Sequence, residues 1–383
     1  MKLSEYQAGS FETEGDGSFF RPALLNQPLE IDSPLLHQQL EKASHALGTL
    51  NSMAKLVPNI DLFINCISFP EATSSSRIEG TQTTISDSFK KEKHIPIEKR
   101  DDWQEVQLYI KALNQAVARL GQLPIANRLI RETHAILMSS RRGTNKAPGE
   151  YRKSQNWIGG NSLQTAVFVP PRHLHIADLM ADLEKFLNDK EHPLPELVRI
   201  GIAHYQFEAI HPFLDGNGRV GRMLIVLFLL ANRLLDKPLL YISVFFEKHR
   251  QIYYDKLTRV HRHNDLAGWL LFFLEGIEQV ALFSSDTLQQ TLDLKSRLEK
   301  KIRAETGNRA RNNLRLLDYA FASPSLEIAD IANHLQVVYT TASNTAKDLE
   351  RLQILQKVSV GKRNKLLLFA PYLNILQRPF IDC

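Results

Sequence analysis

His211-Pro212-Phe213-Leu214-Asp215-Gly216-Asn217-Gly218-Arg219-Val220-Gly221-Arg222 lies between two helical patterns, one ending near Glu208 and an apolar one running from Met223 to Ala231. Gly216, Asn217 and Gly218 can adopt positive φ, which lets consecutive backbone N–H groups face one concavity at the start of the second helix. Such a nest at a helix N-terminus binds phosphate. Arg219 and Arg222 are three apart and share one face of the first turn. Two cations beside the positive end of a helix dipole are unfavourable by roughly 0.3–1 kcal/mol each unless an anion compensates them, so the pattern asks for a polyanion. Asp215 adds the hard oxygen ligand taken by a Mg²⁺ that bridges phosphate oxygens. His211, whose ordinary pKa is near ~6.5, would take a proton from an attacking hydroxyl at neutral pH. A base, a metal ligand, an anion nest and two guanidinium groups in one short segment read as nucleotide phosphoryl or nucleotidyl transfer.

Outward from this segment the chain is mainly α. Helical patterns recur at 35–56, 104–121, 125–138, 174–188 and 195–208. Ser68-Phe69-Pro70-Glu71 sets a capping Ser three residues before a Glu, with Pro in the first turn, and Gly80 supplies a stop; this predicts a helix from about Phe69 to Glu79. Residues 155–158 and 165–169 flank Gly159-Gly160-Asn161 and read as a β-hairpin ended by Pro170-Pro171. Charge concentrates at 90–102, a solvated face to which no function is assigned. Residues 286–305 read as a polar connector helix. Beyond it, helices at 314–322, 327–335 and 340–352 precede strands at 355–360 and 366–369 around the basic turn Gly361-Lys362-Arg363-Asn364-Lys365. Three helices followed by a basic hairpin follow the winged helix-turn-helix plan.

The chain's 383 residues imply two or three domains. With 43% hydrophobic and 23% charged residues it reads as a folded protein, neither disordered nor collagenous. Lys plus Arg (47) exceed Asp plus Glu (42) too slightly to argue for nucleic acid by themselves. Cys66 and Cys383 build no disulfide framework, which fits a reducing compartment. The N-terminus lacks an apolar signal core, and the stretch from Met223 to Ala231 is far short of the ~20 residues that span a bilayer, so the expectation is a cytoplasmic protein without membrane contact.

The segment from His211 to Arg222 resembles the Fic (Fic/Doc) motif H-x-F-x-[D/E]-G-N-G-R-x-x-R at every fixed position. The resemblance extends to Pro148-Gly149-Glu150-Tyr151-Arg152 and Gln155-Asn156-Trp157-Ile158-Gly159-Gly160 upstream, and to Arg250, Tyr253-Tyr254 and 269–276 downstream. It implies a Fic-type helical bundle with a β-hairpin flap, which together with the C-terminal winged helix-turn-helix divides the chain into a helical region at 1–120, a Fic core at 121–285, a connector at 286–305 and the winged-helix domain at 306–383. It implies transfer of AMP from ATP to a Ser, Thr or Tyr hydroxyl of a protein. His211 would be the base, Asp215 the Mg²⁺ ligand, and Gly216, Asn217 and Gly218 the phosphate cradle, with Arg219 and Arg222 on the β- and γ-phosphates. Phe213 and Gly221 complete the nucleotide segment, and Tyr253 and Tyr254 match residues on the adenine side. The flap would position the target segment by strand-like pairing. Partners implied are a target protein, the chain itself, and a second copy.

Ser75-Ser76-Arg77-Ile78-Glu79-Gly80 resembles the family's inhibitory motif [S/T]-x-x-x-E-[G/N]. Glu79 faces the negative end of its own helix dipole and seeks a cation, while Arg222 lacks an anion when ATP is absent. Each repairs the other's mismatch. Ser75, four residues earlier on the same face, would steady Glu79 by a hydrogen bond. The expectation is an adenylyltransferase held off by Glu79; whether the same carboxylate also positions water to remove AMP from the modified target is a question the sequence leaves open. The alternative is a DNA-binding regulator that uses Thr340 to Thr345 as a recognition helix and Lys362, Arg363 and Lys365 as a wing, with the Fic core as nucleotide sensor. His173 with His175, and His261 with His263, lack the further ligands that a zinc site needs.

Overall fold

The computed structural model describes residues 1–14, 17–57, 60–360 and 364–380. Two strands, β1 (Gly9–Glu14) and β2 (Gly17–Pro22), pair antiparallel with Phe11 opposite Phe20. These strands lie within the region at 1–120 expected to be helical. Helix α1 (Pro34–Leu56), capped by the Ser33 side chain with Pro34 in its first turn, packs along the length of a later core helix.

The next helix, α2 (Asp61–Ile78), begins eight residues before the predicted start at Phe69. Ser68 does not cap it; its Oγ donates to the Ile64 carbonyl one turn back, and Pro70 sits inside the helix. Glu71, read as the partner of a capping box, is instead a buried anchor. Its carboxylate accepts from Tyr109 Oη at 3.0 Å and from the Ser243 amide at 3.0 Å. Glu79 is the C-terminal cap, and Gly80 takes φ +107°, a conformation that favours glycine. After a short turn, α3 (Ile85–Ser88), come α4 (Arg100–Leu120) and α5 (Asn127–Leu137), and α2 lies against α4.

Helices α6 (Ile176–Asn188), α7 (Glu196–Ile210) and α8 (Asn217–Ala231) follow. Almost every side chain of α7 and α8 is buried, so this pair forms the centre of the bundle and the loop between them is held from both sides. The predicted hairpin at 155–169 does not form two strands. A single bridge joins Ile158 to Phe168, and 163–165 curl into a 3₁₀ turn. Thr165 Oγ1 accepts from the amides of Asn161 and Ser162, and Gly160 takes φ +69° with the Thr165 carbonyl against it, so the tip closes on itself.

Beyond α9 (Ile242–Lys248) and α10 (Arg250–His263) runs α11 (Leu266–Thr306), about 60 Å long at 1.5 Å per residue. The connector expected at 286–305 is the second half of this one helix, with no break at 285. Its first half is apolar and long enough by composition to cross a membrane, a longer apolar stretch than the one at Met223, and it is packed inside the bundle with Leu270, Phe273, Ile277 and Val280 buried. Close approach requires glycine twice: a Cβ at Gly201 would lie 2.8 Å from Leu270, and one at Gly276 would lie 2.7 Å from the Phe245 ring.

The C-terminal unit contains α12 (Ala310–Ala322), β3 (Ser325–Glu327), α13 (Ile328–Leu335), α14 (Tyr339–Arg351), β4 (Gln356–Val360), β5 (Asn364–Leu368) and α15 (Ala370–Leu376). Its sheet is antiparallel in the order β3-β5-β4. Strand β3 and helix α15 are additions to the sequence reading. Thr340 to Thr345 fall in the first half of α14. Lys362 and Arg363 lie outside the described residues, as does Cys383, and Lys365 is on β5 opposite Ser359. Helix α12 packs on α2, and Lys91, Lys93 and His94 reach Asp330 and Glu327 at 2.6, 2.7 and 2.7 Å.

Candidate functional site

His211 caps the C-terminus of α7 in the left-handed region, φ 49° and ψ 59°, which turns its ring out of the helix path. The Arg152 guanidinium holds this conformation. Its Nε donates to the His211 carbonyl at 3.0 Å, and its other nitrogens donate to the carbonyls of Ser154, Pro171 and Ile210. Burial lowers its pKa to about 10. Burial also pushes the His211 imidazole down to about 4, so the ring is neutral at pH 7 and able to accept a proton.

The loop is closed by side chains that the sequence reading gave to the nucleotide. Asn217 accepts from the Phe213 amide and donates to the Phe213 carbonyl, both at 2.9 Å, and is itself buried. Phe213 is fully buried and stacks on His134 with ring centroids 3.7 Å apart. The Gly149 amide donates to His134 Nδ1 at 2.9 Å, which leaves the proton on Nε2 to be donated to the Asp215 carbonyl at 3.0 Å. Phe213 and Asn217 are therefore fasteners of the loop. Gly216 takes φ 76° just before α8, with Met138 Sδ 2.8 Å from where a Cβ would be.

Arg222 is 1% exposed. Its Nε donates to Ser75 Oγ at 2.8 Å, and its Nη2 donates to the Ser75 carbonyl at 2.9 Å and to Glu79 Oε1 at 2.6 Å. Ser75 thus steadies the arginine, not Glu79 as the sequence reading had it. Glu79 Oε1 lies 2.4 Å from where a Cβ of Gly218 would stand, so the carboxylate occupies the mouth of the nest. Burial opposes its charge, but the Arg222 guanidinium, helped by Arg219, holds the Glu79 carboxyl below the ordinary carboxylate range. Burial likewise opposes the charge on Arg222, and Glu79 outweighs it, raising the arginine further.

Arg219, expected on a phosphate, is ion-paired here, as Arg222 is. Its Nη1 meets Glu105 of α4 at 3.0 Å, and Asp215 is 3.8 Å from Nη2. Both motif arginines therefore carry a carboxylate from the N-terminal helices. Nothing in the local pattern of α4 marks Glu105.

A cavity of about 360 Å³ brings together His211, Gly218, Arg222 and Glu79 with Ile158, Gly159, Val167 and Phe168 of the flap, and with Tyr253, Tyr254, Leu257 and His261 of α10. Tyr253 reaches it from the core: it is 1% exposed, and its hydroxyl donates to His204 Nε2 at 2.9 Å, while His204 Nδ1 donates to the Gly221 carbonyl at 3.0 Å. Tyr254 is partly exposed, under the Arg250 guanidinium. Gly221 serves packing, since a Cβ there would lie 2.2 Å from Glu208 Oε1. Sequence reasoning did not single out Glu208. It lines the cavity one turn before His211, its Oε1 has no hydrogen-bond partner among the described residues, and burial raises its pKa to about 8.

Asp215 is half-exposed, and its Oδ1 accepts from the Gly216 amide at 2.6 Å. Among the described residues no group of three or more His, Cys, Asp or Glu side chains is placed to hold a metal. One exposed carboxylate at the mouth of an anion nest fits Mg²⁺ as it is held beside phosphates, by one or two carboxylates with phosphate oxygens and water.

Two family models match the chain: Fic/DOC family N-terminal over residues 37–118 and Fic/DOC family over residues 124–229. Among curated relatives, a "Protein adenylyltransferase Fic" of Aedes aegypti is 33% identical over 147 residues, 38% of this chain and 24% of that protein. One of Culex quinquefasciatus is 32% identical over 147 residues, again 24% of its length. The match thus spans about a quarter of those relatives. Among solved structures, a Fic family protein from Desulfovibrio desulfuricans G20 aligns with a TM-score of 0.55 at 19% identity, covering 89% of this chain and 98% of that one. Fic-1 from C. elegans aligns with a TM-score of 0.51 at 18% identity, covering 68% and 75%. At these identities the structural likeness is one of fold.

Proposed function

This chain belongs to the Fic/DOC family, and on that premise we propose that it is a protein adenylyltransferase restrained by its own Glu79. The contact that carries the proposal is Arg222 to Glu79 at 2.6 Å, closed over Gly218 at the mouth of the nest. ATP is the substrate. The amides at the start of α8 receive its phosphates, and Arg222 exchanges Glu79 for the triphosphate's terminal charge. Asp215 would hold Mg²⁺, which neutralises phosphate charge when bound.

The chemistry then falls to His211. Neutral in the folded protein, it accepts the proton of the target hydroxyl. The hydroxyl oxygen bonds to the α-phosphorus as the bond to the bridging oxygen breaks, and pyrophosphate leaves. Arg152 keeps the imidazole aimed, because the backbone at His211 is in a region costly for a side chain with a Cβ. Arg219, tied to Glu105 and near Asp215, holds the loop's acidic edge in place.

Incubation with labelled ATP and Mg²⁺ tests the transfer. AMP incorporation by Glu79→Gly disappears in Glu79→Gly/His211→Ala, and incorporation that survives loss of the imidazole refutes this role for it.

A further inference from the structure

Residues 9–22 lie outside both matched regions, yet their hairpin is built against the flap. The Phe20 amide of β2 donates to the Val169 carbonyl at 2.9 Å, next to the Phe168 that bridges to Ile158. Phe20 is 1% exposed, and its ring packs on Phe168 at 5.9 Å and on His261 at 5.5 Å, both of them walls of the cavity. Arg262 adds a second tie from behind, donating to the Val167 carbonyl at 3.1 Å.

The flap needs such support. Its own pairing is the single bridge between Ile158 and Phe168, and two short segments with one bridge and two positive-φ glycines do not hold a fixed geometry in water. The hairpin can give support because it is itself anchored. The Ala8 amide donates to Asn264 Oδ1 at 2.9 Å, Gln206 Nε2 donates to the Ala23 carbonyl at 2.8 Å, and the Leu25 amide donates to Asp182 at 2.7 Å. Those partners stand on α7, on α6 and at the end of α10. The chain of contacts therefore runs from Ile158 to Phe168 by the bridge, from Val169 to β2 by one hydrogen bond, and from β2 to β1.

We infer that the N-terminal hairpin is a positioning element of the active site, with Phe20 as its positioning residue, and that it fixes the flap edge on which the acceptor polypeptide must lie. The inference rests on the flap's role in the reading above. It assigns the hairpin to the acceptor side of the reaction, since the cavity walls it packs on are Phe168 of the flap and His261 of α10, and among the described residues no hydrogen bond or ring contact joins it to Gly218, Arg222 or His211.

The test uses full-length Glu79→Gly as parent, with Phe20→Ala and Arg262→Ala added singly. Hydrogen–deuterium exchange of 156–169 is read beside calorimetric binding of ATP and the rate of AMP incorporation. Phe20→Ala is expected to speed exchange of the Ile158, Val167 and Phe168 amides while α7 and α8 stay protected, which shows that the fold survives. Incorporation falls about tenfold or more, as misplacement of a reactant predicts, with a much smaller change in ATP affinity. Arg262→Ala, at an exposed side chain that carries no fold risk, moves the same readouts in the same direction by less. Unchanged flap exchange in Phe20→Ala overturns the inference, as does a loss of ATP affinity that matches the loss of incorporation. If the Glu79→Gly parent itself incorporates no AMP, the transfer reading fails, and the exchange data still decide whether the hairpin holds the flap.

Discussion

His211 shows how burial prepares a base. An imidazole left near its ordinary pKa would be partly protonated at pH 6, but burial takes this one down to about 4. A lowered folded value means that the neutral form persists as pH falls, until the folded pKa is reached. AMP incorporation by Glu79→Gly is therefore expected to be level from pH 8 down to about 5 and to decline toward pH 4. An inflection near pH 6.5 would show a solvated imidazole and contradict the geometry. The residues the sequence made legible are the ones whose chemistry is local. His211, Gly216, Gly218 and Arg222 sit where their spacing put them, because one loop and one helix turn carry them all. The partners were not legible. Glu105 meets Arg219 across 114 residues, and Glu79 meets Arg222 across 143; only the second could be argued beforehand, from a carboxylate on the wrong end of its own helix.

At the scale of elements, α2 departs most from its local signals. Ser68, Pro70 and Glu71 together resemble a helix start, yet the helix runs through them, because Glu71 is wanted in the core by Tyr109 and Ser243. Tertiary demand overrode a capping pattern. The flap departs the other way: strand-forming residues around two glycines yield one bridge, and its further backbone tie, from the Phe20 amide to the Val169 carbonyl, comes from β2, more than a hundred residues earlier. Helix α11 is held by close approach. Gly276→Val would drive a side chain into the Phe245 ring, and a destabilisation of about 1–3 kcal/mol is expected, seen as a lower urea midpoint with unchanged slope. A neutral result would mean that α9 and α11 can separate freely at this point.

For the whole molecule, α11 joins what the sequence divided. The proposed core and connector share one uninterrupted helix, and the C-terminal unit is fastened to the N-terminal helices through α12 on α2 and through Glu327. Burial opposes the charge on Glu327, but Lys93, His94 and Lys91 outweigh it and hold its carboxyl below the usual range. Since the folded value is depressed, its contribution is present above the unfolded pKa and is lost as pH falls through the folded one. Glu327→Ala is expected to cost about 1–2 kcal/mol at pH 7 and less at pH 3, by calorimetry. An equal cost at both values would assign the loss to packing. The mainly helical class followed from periodicity; the contacts between segments did not, because they join stretches with no sequence signature in common.

Whether Glu79 keeps Arg222 from the nucleotide is decided by intact mass after incubation with ATP and Mg²⁺. Glu79→Gly, with the chain itself or a lysate protein as acceptor, is expected to gain the mass of one AMP to at least about ten times the extent of the unmodified chain, since a buried pair worth ~3 kcal/mol would hold about 99% of molecules off. Equal gain by the two proteins would contradict it.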